Sequence, residues 1–111
     1  MDSTTTPMDN IENYLTEMGL GRHGSSFDYI KRWTSPRLAP CEVHTNRKEN
    51  YIYIYLIQPV RFRFLSYVMT PEEFLEIFGE VVEMKEMKSI IEARFAIGAA
   101  LGDKTDTRKP W

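Results

Sequence analysis

The stretch from Tyr51 to Phe64, YIYIYLIQPVRFRF, constrains this chain more than any other. Tyrosine alternates with aliphatic residues over Tyr51–Leu56, and arginine alternates with phenylalanine over Arg61–Phe64. Successive side chains on a β-strand point to opposite faces, so each half reads as a strand with two unlike faces. Gln58 and Pro59 interrupt the pattern and mark the loop of a hairpin.

Loop length decides which residues share a face. A two-residue loop, Gln58-Pro59, sets Tyr55 against Phe62 and Ile54 against Arg63, and puts proline where a tight turn disfavours it unless it is cis. A three-residue loop, Gln58-Pro59-Val60, sets Leu56 against Phe62, Ile54 against Phe64, Tyr55 against Arg63 and Tyr51 against Tyr67. The second register separates the side chains more cleanly, and a one-residue slip would exchange every one of them between faces. It predicts a core face of Ile52, Ile54, Leu56, Phe62 and Phe64. The opposite face then holds Tyr51, Tyr53, Tyr55, Arg61, Arg63 and Tyr67.

The flanking segments supply helices. Ile11, Tyr14, Leu15 and Met18 recur at helical spacing behind Asp9 or Asn10 as a cap, and Gly19 fits the stop. Phe27, Ile30 and Trp33 suggest a second helix, reached through a GLGRHGSS loop and ended by the prolines of TSPRLAP. That loop lacks the Gly-Lys-Ser/Thr ending of a phosphate-binding loop, and no strand precedes it. CEVHTN reads as a short strand, with Cys41, Val43 and Thr45 on one face and Glu42, His44 and Asn46 on the other. In TPEE, Thr70 caps a helix, Pro71 takes its first position and Glu73 closes a capping box. Apolar residues from Phe74 to Phe95 then continue at helical spacing, either to Leu101 or with a break between Gly79 and Lys88.

The expected fold is α+β. A small antiparallel sheet of about three strands packs against two short N-terminal helices and a long or broken C-terminal helix, giving two layers. Residues 1–8 are expected to form a disordered tail, 9–102 the single domain and 103–111 a flexible C-terminal tail. At 111 residues and 42% hydrophobic, the chain can bury a core without disulfides or metal.

Chemistry is sparse. Cys41 is the only cysteine and, on a strand, points away from His44; His23 is the only other histidine. No set of metal ligands with the usual spacing exists, and no nucleophile stands beside a base, so neither a cofactor nor an enzymatic activity is expected. One cysteine and an N-terminus with neither a basic region nor an apolar run predict a reducing, cytoplasmic setting with no membrane partner.

Charge is uneven. Residues 22–67 hold eight bases and three acids, whereas residues 68–102 hold seven acids and three bases. The Tyr/Arg face therefore has two functional readings. Tyrosine and arginine are enriched at protein interfaces, which predicts a non-enzymatic binding module: an inhibitor, adaptor or accessory subunit of the kind carried by viruses and mobile elements. The alternative is a single-stranded nucleic-acid surface, with rings stacking bases and arginines meeting phosphates. Met84 and Met87 add a possible helix interface for a homodimer or partner groove.

Overall fold

Capping chemistry fixes where two of the helices begin. In the computed structural model, which describes residues 6–58, 63–101 and 106–107, α1 spans Pro7–Met18 and α2 spans Pro71–Phe78. Thr70 caps α2, Pro71 occupies its first turn, and Thr70 and Glu73 exchange side-chain-to-backbone hydrogen bonds at 3.1 and 2.8 Å, as TPEE predicts. The same device opens α1 one turn earlier than expected: Thr6 is the cap and Asp9 completes the box. Gly19, at φ 104°, ends α1 in the left-handed region that glycine adopts without penalty. Met8 is buried in the core, so the ordered chain begins before residue 9.

The third helix, α3, spans Met84–Leu101, so the C-terminal helical region is broken into two. The strands are β1 (Gly21–His23), β2 (Ile30–Thr34), β3 (Cys41–Asn46), β4 (Tyr51–Gln58), β5 (Arg63–Met69) and a two-residue β6 (Asp106–Thr107). They form one antiparallel sheet in the order β1-β2-β3-β4-β5-β6, each strand beside its neighbour in sequence. The fold is α+β, with a larger sheet than the expected three strands and one N-terminal helix rather than two. Among the described residues no helix is long and apolar enough to cross a membrane.

The expected second helix is strand β2. Phe27, Ile30 and Trp33 fit a helical stripe, and it is pairing with β3 that makes the segment a strand. Strand geometry sends Trp33 into the core at 1% exposure, where its indole N–H donates to Thr45 Oγ1 at 3.0 Å, while Phe27, in the bend before the strand, is 48% exposed. Part of the expected glycine loop is β1, the outer strand beside β2.

The hairpin register also differs. Ile54 pairs with Tyr67, Tyr55 with Ser66, Leu56 with Leu65 and Gln58 with Arg63. The expected pairs Ile54–Phe64, Tyr55–Arg63 and Tyr51–Tyr67 do not form, because β4 continues through Ile57 to Gln58 and β5 starts only at Arg63. The expected loop residues Pro59 and Val60, together with Arg61 and Phe62, lie outside the described residues. The shift puts Tyr67 in the row of Ile54, facing the helices. There its ring packs on Phe95 with centroids 4.7 Å apart, and its hydroxyl donates to the Arg94 carbonyl. That hydrogen bond lets a tyrosine occupy a place the alternation pattern reserves for an apolar residue.

One layer of helices covers one face of the sheet. Ile11 and Leu15 of α1, Phe74 and Phe78 of α2, and Met84, Met87, Ile91 and Phe95 of α3 form a single cluster with Trp33, Cys41, Val43, Ile52, Ile54 and Met69. Arg47, in the turn after β3, ties α1 to the sheet through Asp9 and Glu12, the latter at 2.8 Å.

Candidate functional site: the tyrosine face of the sheet

The register places a second set of side chains on the face turned from the helices. One row across the strands is His23, Arg32, His44, Tyr53 and Val68. The next is Glu42, Tyr55 and Ser66, and the row on the other side is Ile30, Asn46 and Tyr51. Tyrosine and valine suit a pleated surface, and cross-strand neighbours on one face pack in direct contact.

Burial is graded along the tyrosines. Tyr55 is 3% exposed, Tyr53 is half-buried and Tyr51 is 41% exposed. The rings of Tyr53 and Tyr55 are nearly parallel with centroids 6.2 Å apart, and Tyr55 packs against the His44 ring at 4.4 Å. Val68, beside Tyr53, is 53% exposed. The exposed end of this face therefore rests on a fixed aromatic base. At the same end of the sheet Phe27 packs on Tyr29 at 5.4 Å, and the Lys48 ammonium lies 5.1 Å from the Tyr29 ring centroid. Asn46 fixes the β3–β4 turn by accepting the Glu49 N–H at 2.9 Å.

The polar centre of the face is an Arg32–Glu42–His44 array. Arg32 meets Glu42 at 3.2 Å, and His44 Nε2 lies 3.0 Å from the other carboxylate oxygen. A carboxylate can only accept, so Nε2 carries the proton and donates. Burial pushes the His44 pKa below its ordinary value although Glu42 pulls it up, so the imidazole is neutral at pH 7. Burial pushes the Glu42 carboxyl up, but its hydrogen bonds to His44 and Arg32 outweigh that and hold it below the usual value. With His44 buried to 1% exposure against Tyr55, the array acts as internal structure beneath the surface tyrosines.

Three of the six residues expected on the Tyr/Arg face share it: Tyr51, Tyr53 and Tyr55. Tyr67 stands on the helix side. Arg63 pairs with Gln58 and not with Tyr55, and Arg61 lies outside the described residues. Met84 and Met87 are buried core residues and are not presented as a helix interface. Arg32, Glu42, His44 and Val68 were not expected here. Glu42 and His44 are two apart in CEVHTN and readable as neighbours, whereas Arg32 is hidden by the helical reading of its segment.

Cys41 and His44 fall on opposite faces of β3. The Cys41 thiol is buried and pushed up to about 11, first by burial and then by Glu92, which leaves it protonated and a poor nucleophile. Among the described residues no three His, Cys, Asp or Glu side chains converge as metal ligands. No family model, curated protein or solved structure matches the chain, so the reading of this face rests on its own geometry.

Proposed function

We propose that the chain is a small non-enzymatic binding module, an adaptor, inhibitor or accessory subunit, that holds a protein partner through the tyrosine face. The observation that carries this reading is the exposure of Tyr51 and Val68 at 41% and 53% over a rigid base of Tyr53, Tyr55 and His44. Tyrosine supplies a large contact area at little conformational cost, and residues of this kind dominate interface energetics when the base beneath them is fixed. Neutralisation of Arg32 by Glu42 favours a protein partner over nucleic acid, which needs unpaired positive charge beside the rings.

The test is capture from native host extract by the chain and by a Tyr51→Ala/Val68→Ser variant. Both side chains are exposed, so the variant should keep the parent far-ultraviolet circular dichroism spectrum. A protein captured by the parent and lost by the variant supports the reading. Identical captured sets remove this face as the site. Binding of labelled single-stranded oligonucleotides at about 50 mM salt, released steeply as salt rises, would replace the protein reading with the nucleic-acid one.

A further inference from the structure

A second surface lies on the helix layer, where the C-terminal ends of α1 and α2 come together. A shallow groove of about 220 Å³ is lined there by Tyr14, Glu17, Met18, Val81 and Val82. The Tyr14 hydroxyl donates to the Val81 carbonyl at 2.7 Å, fixing the connector between α2 and α3 against α1. Val82 is 81% exposed, the highest value among the large apolar side chains described. An apolar floor, with Val82 open to solvent, is thus fixed by a partly buried hydrogen bond.

The side-chain charge around the groove is mostly negative, although α3 begins beside it at Met84. Neither α1 nor α2 carries a base in its last turn, so the partial negative charge of both helix C-termini is unopposed there. Glu17 lines the groove, and the exposed Glu80 and Glu83 flank Val81 and Val82. Glu86 is close enough to act on the Tyr14 hydroxyl, which burial, and then Glu86, push up to about 12. Lys85 is the one base among residues 79–87. Hydrophobic contact alone would accept any apolar segment; this charge pattern repels an acidic one and attracts a basic one.

We infer that the groove is a second docking site, and that its occupant is a positively charged segment of another protein with one apolar side chain set between lysines or arginines. The apolar side chain covers Val82 and Met18, and the bases face Glu17, Glu80, Glu83 and Glu86. The site stands on the layer opposite the tyrosine face and does not depend on the function proposed for that face.

Fluorescence anisotropy of the full chain tests this, using a short labelled peptide with a leucine flanked on both sides by lysines. A matched peptide with glutamates in place of the lysines is the control. The lysine peptide is expected to bind at about 50 mM salt and to weaken as salt rises, and the glutamate peptide not to bind. Val82→Ser should weaken binding roughly tenfold or more. Glu17→Gln with Glu83→Gln should weaken it and flatten its salt dependence. Tyr51→Ala/Val68→Ser should leave it unchanged, which separates failure of this site from failure of the sheet face. All these positions are exposed, and circular dichroism checks that each variant folds. Absence of binding, equal binding of the two peptides, or binding that ignores both groove variants would overturn the inference.

Discussion

At His44 the fold buries an imidazole between Tyr55 and the Glu42 carboxylate, and this has a consequence for acid stability. The native pKa lies below 6.5, so below that pH the unfolded chain binds a proton that the native chain refuses. Stability should therefore fall as pH drops through 6.5 toward the lower native value. Glu42 acts in the same direction at lower pH. Its native value is below 4.5, so its contribution is complete above 4.5 and is lost as pH falls through the native value. Urea unfolding across this pH range should show the decline, and His44→Gln should flatten the part that begins at 6.5. An unchanged slope in the variant would assign the acid sensitivity to other groups. Trp33 offers a second residue-scale check. Trp33→Phe keeps most of the buried ring but deletes the donor to Thr45, and should cost about 1–2 kcal/mol in chemical denaturation.

Among the elements, α2 and its exit are set by a few atoms. Thr70→Ala removes the acceptor for the Glu73 N–H and should cost about 1 kcal/mol of stability, with Thr70→Ser close to neutral. Gly79→Ala should destabilise more than an ordinary surface substitution, because a Cβ there would collide with the Leu75 carbonyl oxygen; a thermal melt reads both. The start of α2 was legible in the sequence because capping depends on residues within one turn, whereas its end at Phe78 was one of two readings the spacing allowed. The two faces of β3 were legible in the same way, although His44 and Asn46 on its second face are buried. Segment 27–34 was not legible. Phe27, Ile30 and Trp33 share a helical stripe but not a strand face, since Ile30 falls opposite Trp33, and the strand wins only through its partner β3. The hairpin register failed for a related reason: the faces were assigned from local alternation, whereas Tyr67 finds its hydrogen-bond acceptor on α3, at Arg94. The tyrosine row survived that error because its members lie on a single strand, and alternation along one strand does not depend on register.

For the whole molecule, one core joins every helix to one face of one sheet, so the chain should unfold as a unit. In a Trp111→Phe background, tryptophan fluorescence and far-ultraviolet circular dichroism should give coincident transitions. Phe74→Ala should lower both midpoints together at a cost of about 3–5 kcal/mol. Separate transitions would divide the chain into independent units. The meander also carries a temporal consequence. Every strand pairs with the next in sequence, so the sheet can assemble piece by piece as the chain leaves the ribosome. Helix α1 is the exception, since its Tyr14 bonds to Val81 and its Arg47 anchor arrives only after β3. Helix α1 therefore completes its seat only after β3 and the α2–α3 connector have been made, and substitutions at its buried Ile11 and Leu15 should accelerate unfolding while leaving the folding rate almost untouched.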